Sequence, residues 1–256
     1  MSTLVLVRHG KTEWSSQNRF AGWADAPLSA TGEQEARSAG RTLAAAGYRF
    51  QRAHTSYLRR AARTLEIILE ELGQADLPAA RSWRLNERHY GALQGHNRAK
   101  TALQYGNDQV ARWRRDYDAE PPPLPEDDER LPSRDPLYAG IDPALLPRSE
   151  SLGQAAERVA VWWRDTLAPE LRGAAAGDRQ VLVVAHTSSI RGLVRQIEGL
   201  DDGEAADFRI ATALPLVYTL DAGLKVTGRS ELAVGWSNRM RRFFNRHKPG
   251  RRISWI

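Results

Sequence analysis

Three basic side chains that suit phosphate chemistry follow predicted strands. His9, preceded by Arg8, comes directly after the apolar run at residues 3–7, His186 comes directly after the run at residues 181–185, and Arg60 follows a weaker strand at residues 50–54. Because the carboxyl ends of parallel strands meet at one edge of a sheet, we expect these side chains to converge. A lone histidine is more often structural, but guanidinium groups can hold phosphate oxygens while an imidazole attacks in line. The combination predicts phosphoryl transfer through His9.

Strand and helix signals alternate along the chain and predict the elements that position these residues. A capping box from Thr31 to Gln34 predicts a helix that ends near Gly47, and a second box runs from Ser151 to Gln154. A further helix is predicted at about residues 57–72, with Arg60 in its first turn. The alternation predicts an α/β fold, a three-layer domain with a central mainly parallel sheet flanked by helices.

Composition excludes several kinds of chemistry. The chain has 256 residues, of which 41% are hydrophobic, so it can bury a sizeable core, and it has no cysteine. Disulfides, zinc thiolate sites and thiol nucleophiles are therefore excluded, and no metal site is predicted. The first apolar stretch, at residues 4–7, is too short for the core of a signal peptide, so a cytoplasmic protein is expected.

The positive charge of the chain is concentrated at its C-terminus. The pI is near 9.9, but seven basic residues and no acidic ones follow from Arg239 onward, and subtracting them from the net charge of +6 leaves −1 for residues 1–238. A body that binds nucleic acid is thus disfavoured. We predict a catalytic domain at residues 1–235 and a basic tail at 236–256. Three interpretations of the tail stay open: a packed terminal helix, a lid over the site, or a contact with anionic lipid or RNA.

Residues 119–147 differ in composition from their surroundings. Eight of the thirteen prolines in the chain and an acidic cluster at residues 126–129 fall here, which rules out a regular helix or central strand. We interpret the stretch as an insertion over one face of the domain, either a lid, a binding loop or a surface excursion, with a plain solvated loop as the alternative.

Several motifs resemble the histidine phosphatase superfamily, in its cofactor-dependent phosphoglycerate mutase branch. The run RHGKTEW at residues 8–14 is similar to that family's RHGESxW, FAGW at residues 20–23 to FTGW, and WRR at residues 113–115 to its WRR. The eleven residues LNERHYGALQG at 85–95 match the family outright and are highly specific. The resemblance covers roughly residues 3–230 and implies the phosphoglycerate mutase-like fold.

The resemblance implies a catalytic role for five residues. His9 becomes phosphorylated and passes the phosphoryl group between the hydroxyls of phosphoglycerate, while Arg8, Arg60 and His186 stabilise the charge on the transferring group. Glu87 shuttles the hydroxyl proton, which requires a pKa raised toward neutrality by partial burial beside an anionic phosphate. The alternative for Glu87 is a structural ion pair with a nearby arginine.

The resemblance also implies the ligands and the assembly. A primer, 2,3-bisphosphoglycerate, a small phosphorylated metabolite as substrate, no metal, and a homodimer or homotetramer are expected, with no nucleic-acid or membrane partner apart from a contact of the tail. Without the family context, the basic WRR would be interpreted as a solvated helix face. The substrate-binding residues that the resemblance indicates, or that occupy its ligand positions, are Thr12, Ser15, Ala21, Gly22, Tyr90, Arg98, Arg114, Arg115, Thr187 and Ser188.

Departures from the family pattern cluster at the ligand positions. Lys11 replaces a glutamate, Ser15 an asparagine and Ala21 a threonine, and Thr187-Ser188 stand where the family has Gly-Asn after its second histidine. Glycine allows a positive φ beside a phosphate and threonine resists it, so either a reshaped loop or a contact from the Thr187 hydroxyl is expected. Two alternatives to a phosphoglycerate mutase remain: a mutase or phosphatase retuned to another phosphorylated metabolite, and a catalytically weakened relative that binds a phosphorylated ligand or partner.

Overall fold

One six-stranded sheet organises the part of the chain that the computed structural model describes, residues 1–172 and 179–233. The strand order is β3-β2-β4-β1-β5-β6; the first four strands are parallel to one another, and β5 runs antiparallel to both β1 and β6. The prediction of a mainly parallel sheet is confirmed, with an antiparallel pair added at one edge. The strands are β1 (Ser2–Arg8), β2 (Arg52–Thr55), β3 (Ala79–Arg81), β4 (Arg179–Ala185), β5 (Leu216–Leu220) and β6 (Val226–Glu231).

Helices cover both faces of this sheet because side chains alternate along each strand. Val5 and Val7 of β1 face α2 and α3, whereas Leu4 and Leu6 face α6 and α8. The three predicted layers are present. A π-helical turn, Trp163–Leu167, joins α6 to α7. The helices are α1 (Glu13–Ser16), α2 (Ala30–Ala45), α3 (Arg59–Glu71), α4 (Arg98–Tyr105), α5 (Asn107–Arg115), α6 (Leu152–Trp162), α7 (Ala168–Arg172), α8 (Thr187–Glu198) and α9 (Asp202–Asp207).

The two predicted capping boxes have different outcomes. The Ser151 hydroxyl accepts a hydrogen bond from the Gln154 backbone N–H, and the Ser151 backbone N–H donates to Gln154 Oε1. The predicted capping box at α6 is therefore confirmed. At α2 the prediction that Thr31 is the N-cap is wrong. The Ser29 hydroxyl accepts from the Gly32 N–H, and the helix begins at Ala30. Thr31 is already helical, while Ser29 has the extended backbone that an N-cap requires.

The proline-rich stretch at residues 119–147 has neither α-helix nor strand, as its prolines predict. It forms three short 3-10 turns, Pro132–Arg134, Pro136–Tyr138 and Pro143–Leu145. Several of its side chains are buried, and Tyr138 stacks on Trp23 and accepts a hydrogen bond from Asn86. The insertion therefore packs against residues close to Glu87.

The predicted tail at residues 236–256 lies outside the described residues. Among the residues that are described, no helix is both long enough and apolar enough to span a lipid bilayer.

Candidate active site

The carboxyl ends of β1 and β4 bring His9 and His186 together. The His9 N–H donates to the carbonyl of Ala185, and the two imidazole rings lie 4.9 Å apart. Arg60, in the first turn of α3, donates from Nε to His9 Nε2 at 3.3 Å. The convergence predicted from three strand ends is therefore present in the structure.

The His9 ring is held with one nitrogen facing the cleft. Its Nδ1 lies 2.7 Å from the carbonyl of Gly10, and because a carbonyl only accepts, Nδ1 carries the hydrogen and Nε2 keeps its lone pair. Burial lowers the pKa of His9 well below its ordinary value, and the charges of Arg60 and Arg8 lower it further. His9 is thus a neutral imidazole at neutral pH, as a nucleophile must be.

The loop after His9 is fixed by a close approach to α2. A Cβ on Gly10 would lie 2.3 Å from the carbonyl oxygen of Gly32, and one on Gly32 would lie 2.0 Å from the carbonyl of Lys11. Both positions therefore need glycine. The Lys11 ammonium lies 3.2 Å from a carboxylate oxygen of Glu35 on α2, so the charge reversal at Lys11 is met by a partner on that helix.

Arg60 is one of two arginines in the cleft, with Arg88, that are only 1% exposed. Its guanidinium donates to the carbonyls of Gly22 and Ala24 as well as to His9. Burial lowers the pKa of Arg60 to about 10, and the negative charge of Glu87 opposes that shift. The side chain is therefore still charged at neutral pH and presents a fixed positive charge to any group bound at His9 Nε2.

His186 is the N-cap residue of α8, and Glu87 lies on the segment between the 3-10 turns Trp83–Leu85 and Gly91–Leu93. The Ser56 hydroxyl lies 2.8 Å from His186 Nε2, and burial with the charge of Arg60 lowers the pKa of His186 well below its ordinary value. Glu87 Oε1 accepts from the backbone N–H groups of Arg88 (2.8 Å) and Ser188 (3.2 Å).

The pKa of Glu87 is lowered in the phosphate-free site, and the rise expected beside a bound phosphate stays a prediction. Burial raises the pKa, but the hydrogen bonds from the N–H groups of Ser188 and Arg88 and the charge of Arg60 outweigh burial, so the pKa lies below its ordinary value. The sequence prediction gave weight to burial and to a bound phosphate, and could not include two backbone donors whose positions come from the fold.

A cleft of about 310 Å³ gathers the predicted ligand residues. All ten predicted substrate-binding residues line it, together with Arg8, His9, Arg60 and Glu87. Three lining arginines were not predicted: Arg19, Arg88 and Arg191. Arg88 lies inside the motif at residues 85–95 and Arg19 directly precedes the one at residues 20–23, so both could have been predicted. Arg191 lies five residues after His186, one helical turn into α8, and no quoted motif includes it. The ten are Thr12, Ser15, Ala21, Gly22, Tyr90, Arg98, Arg114, Arg115, Thr187 and Ser188.

Buried guanidinium nitrogens in this cleft have no hydrogen-bond partner among the described residues. They are Nε of Arg8, Nε and Nη1 of Arg88, and Nε of Arg98. Buried donors are almost always paired in folded proteins, and a cluster of unpaired cationic ones is suited to an anion. The described residues contain no group of three or more His, Asp or Glu side chains placed to hold a metal ion.

Two expectations about ligand contacts change with the structure. Thr187 is the first residue of α8 and has no positive φ, so threonine fits at this position without backbone strain. The Ser15 hydroxyl, expected to donate to the ligand, donates instead to the carbonyl of Thr12 at 2.6 Å and closes a capping box at α1. Both residues remain on the wall of the cleft.

The whole arrangement is that of a histidine phosphatase: the chain belongs to the histidine phosphatase superfamily (branch 1), whose sequence pattern matches residues 4–135 and 140–227. The family prediction from the motifs is confirmed. A 2,3-bisphosphoglycerate-dependent phosphoglycerate mutase of Nitratidesulfovibrio vulgaris is 51% identical over 225 residues, 88% of this chain and 89% of the relative. A protein of the same name from Thermobifida fusca is 51% identical over 221 residues, 86% of this chain and 88% of the relative.

Solved structures confirm the fold. Mycobacterial hydrolase 1 superimposes with a TM-score of 0.66 at 24% identity, covering 92% of this chain and 99% of that one. A putative alpha-ribazole-5'-P phosphatase from Escherichia coli gives a TM-score of 0.67 at 20% identity, covering 92% and 99%. At these identities the likeness concerns the fold alone.

Proposed function

We propose that this protein interconverts 3-phosphoglycerate and 2-phosphoglycerate through a phosphohistidine at Nε2 of His9. The observation that carries the proposal is the state of His9: a neutral ring in a cleft lined by charged arginines and by Glu87, with its Nδ1 hydrogen held by Gly10 and its Nε2 unprotonated and hydrogen-bonded to Arg60. The two relatives that are 51% identical over almost nine-tenths of the chain carry the name of this activity.

Transfer to the enzyme forms one bond and breaks another. His9 Nε2 attacks the phosphorus, the bond from phosphorus to the ester oxygen breaks, and the departing oxygen takes a proton from Glu87. Arg8, Arg60 and His186 stabilise the charge on the equatorial oxygens. In the second half, Glu87 removes the proton from the accepting hydroxyl as that oxygen attacks the phosphohistidine, and His9 is released.

With its lowered pKa, Glu87 is ionised in the phosphate-free site, and the ionised form is the one that can accept a proton. An anionic phosphate beside Glu87 raises its pKa, because like charges disfavour ionisation, so substrate binding promotes the protonated form needed for the other half. The two backbone donors and the bound phosphate then act in opposite directions on one carboxylate.

The unpaired donors of Arg8, Arg88 and Arg98 fit a ligand with more than one anionic group, such as the primer 2,3-bisphosphoglycerate. When bound, this primer supplies the phosphoryl group that first loads His9. Arg98, Arg114 and Arg115 are the residues that would hold the second phosphate or the carboxylate. We further propose that the protein is cytoplasmic and assembles as a homodimer or homotetramer.

A second candidate, a mutase or phosphatase for another phosphorylated metabolite, is favoured by one observation. Ala21 and Thr187 both lie on the wall of the cleft, where the family motif has threonine and glycine. At these two positions the cleft therefore differs in hydrogen bonding and shape from one built on the family motif.

Assay with 3-phosphoglycerate and the primer separates the two candidates. The mutase proposal expects 2-phosphoglycerate to form faster than free phosphate. Absence of 2-phosphoglycerate, together with turnover of another phosphate ester, supports the second candidate. In that case the double variant Ala21→Thr/Thr187→Gly should shift the balance toward phosphoglycerate, with Ala139→Thr, outside the cleft, as the control for an added threonine.

A further inference from the structure

The segment that carries Glu87 is not held by the sheet. Between the 3-10 turns Trp83–Leu85 and Gly91–Leu93, its backbone belongs to neither helix nor strand. The carboxylate of Glu87 accepts only from two backbone N–H groups among the bonds described above, so its position follows the path of this backbone. Several side chains contact this backbone, among them Trp23, whose Nε1 donates to the Glu87 carbonyl. Two of them, Arg158 and Glu150, are buried and oppositely charged, with side-chain exposures of 7% and 5%.

Arg158, on α6, donates hydrogen bonds to backbone carbonyls in and next to the Glu87 segment. Its Nη1 donates to the carbonyl of Arg84 at 2.6 Å, and its Nη2 donates to those of Asn86 at 3.0 Å and Glu87 at 2.9 Å. Its Nε and Nη2 donate to the two carboxylate oxygens of Glu150, at 2.6 and 3.0 Å. One planar guanidinium thus contacts three carbonyls of the segment, including that of Glu87 itself.

Glu150 holds the other end of the segment. Its Oε2 accepts from the N–H of His89 at 2.8 Å, and its own backbone N–H donates to the carbonyl of His89 at 2.8 Å. Glu87 therefore lies between two anchored points, Asn86 and His89, that the Arg158–Glu150 pair connects to the start of α6. Arg158 and Glu150 do not line the cleft themselves, and they contact Glu87 only through its backbone carbonyl.

We propose that Arg158 and Glu150 are positioning residues that set the Glu87 carboxylate for proton transfer. The inference rests on the proposed role of Glu87 as the group that protonates the leaving oxygen. A displacement of about 1 Å at such a group is enough to cost about 100-fold in rate. The backbone of the Glu87 segment is the route by which the buried pair affects the reaction.

Two phosphate donors that differ in their need for a proton test the proposal. Phenyl phosphate releases a basic phenolate that requires an acid, whereas 4-nitrophenyl phosphate releases a stable anion that does not. The readout is the ratio of the rates at which the two donors phosphorylate His9 in the full-length protein. A misfolded fraction or a damaged nucleophile lowers both rates equally and leaves the ratio unchanged. Neither donor depends on recognition of phosphoglycerate.

The variants are Arg158→Lys, which loses the planar fork, Glu150→Gln, which keeps the shape without the charge, and Glu87→Gln as the reference. We expect the ratio of phenyl to 4-nitrophenyl rates to fall about tenfold or more in each. Arg158→Lys added to Glu87→Gln should cause no further fall, because the group being positioned is already gone. Arg164→Lys, at an exposed arginine just beyond α6, is the matched control and should keep the wild-type ratio.

Different results overturn different statements. A wild-type ratio in Arg158→Lys and Glu150→Gln, with a reduced ratio in Glu87→Gln, overturns the positioning role alone. A further fall in the double variant, equal to that of Arg158→Lys by itself, also overturns it. A wild-type ratio in Glu87→Gln overturns the proposed role of Glu87 and the inference with it. If Arg158→Lys fails to fold, Glu150→Gln decides the result.

Discussion

The two walls of the cleft are held in place by different means. His9 and His186 extend from the ends of adjacent parallel strands, and a backbone hydrogen bond joins His9 to Ala185. Glu87 lies on a segment without regular structure that a buried ion pair holds from behind. Backbone pairing supports the proposed nucleophile, His9, regardless of nearby side chains, whereas the proposed proton-transfer group, Glu87, depends on particular side chains.

The comparison has a consequence for substitutions. At the strand ends, changes in the reacting side chains should remove chemistry without altering the fold. A change remote from the cleft should also alter the chemistry if it touches the Glu87 segment, because side chains, rather than hydrogen bonds between strands, hold the backbone of this segment. The following predictions test this contrast, from the largest effect to the smallest.

Replacing the nucleophile should have the largest effect. His9→Ala should abolish incorporation of a phosphoryl group, because Nε2 is the atom that forms the new bond. Radiolabel transfer from a phosphoryl donor, followed by acid treatment to cleave phosphohistidine, measures the effect. His186→Ala should still label slowly, since it removes only charge stabilisation. Equal labelling of His9→Ala and wild type would show that the nucleophile is elsewhere.

Replacing the proton-transfer group should have the next largest effect. Glu87→Gln should lower transfer between phosphoglycerates by about 10²- to 10⁴-fold, the usual contribution of general acid–base catalysis. Steady-state isomerisation measures this rate, and thermal melting serves as the control for folding. A loss of less than about threefold would indicate that Glu87 is a structural ion-pair residue.

Buried histidines on both walls should make the phosphate-free protein sensitive to acid. The pKa values of His9 and His186 are lowered well below the ordinary value of 6.5, and burial lowers that of His89 to about 3. Below pH 6.5 the unfolded chain binds protons that the folded protein does not, so stability falls as pH falls. Each histidine contributes up to about 1.4 kcal/mol per pH unit.

Urea unfolding at pH 7, 6 and 5 measures this slope. Added phosphate should reduce the slope of the free energy of unfolding against pH, because an anion beside His9 and His186 favours their protonated forms. The contribution of His89 should not change. Stability that is constant from pH 7 to 5 without phosphate would contradict the burial of neutral histidines.

The smallest expected effect concerns the start of α6, where the support for Glu87 begins. Ser151→Ala removes the hydroxyl that accepts from the Gln154 N–H, next to Glu150. We expect a loss of about 1 kcal/mol in the free energy of unfolding. Ser29→Ala at α2 is the matched control: it should cost a similar stability but leave the ratio of phenyl to 4-nitrophenyl phosphorylation unchanged. If Ser29→Ala changed the ratio of phenyl to 4-nitrophenyl phosphorylation rates more than Ser151→Ala does, the result would contradict the contrast between the strand-held histidines and the Glu87 segment.

The sheet-held wall was the easier one to predict from the sequence. Short apolar runs that end near His9 and His186 predict buried strands, and parallel strands end at the same edge of a sheet. These two rules were enough to place both histidines at one edge. The start of α2 was misplaced by two residues because Ser29 and Thr31 both suit an N-cap, and only the backbone path selects between them.

The side-chain-held wall was predicted only in part. The motif around Glu87 marked it as a site, but the anchoring by Glu150 and Arg158 joins residues 61 and 71 positions apart, and no local pattern indicates such contacts. The lowered pKa of Glu87 in the phosphate-free protein was not predicted, because the backbone donors that contribute to it come from this tertiary arrangement. Thr187 was expected either to reshape the loop or to contact the ligand through its hydroxyl; its position is helical and lines the cleft, so the hydroxyl contact stays a prediction.

The central claim is that His9 reacts through Nε2, and nuclear magnetic resonance of the phosphorylated protein tests it most directly. Protein labelled with ¹⁵N in histidine and phosphorylated by a donor should show coupling between phosphorus and Nε2 of His9, with Nδ1 still carrying the hydrogen that it donates to Gly10. Coupling to Nδ1 of His9, or to any other residue, would contradict the account.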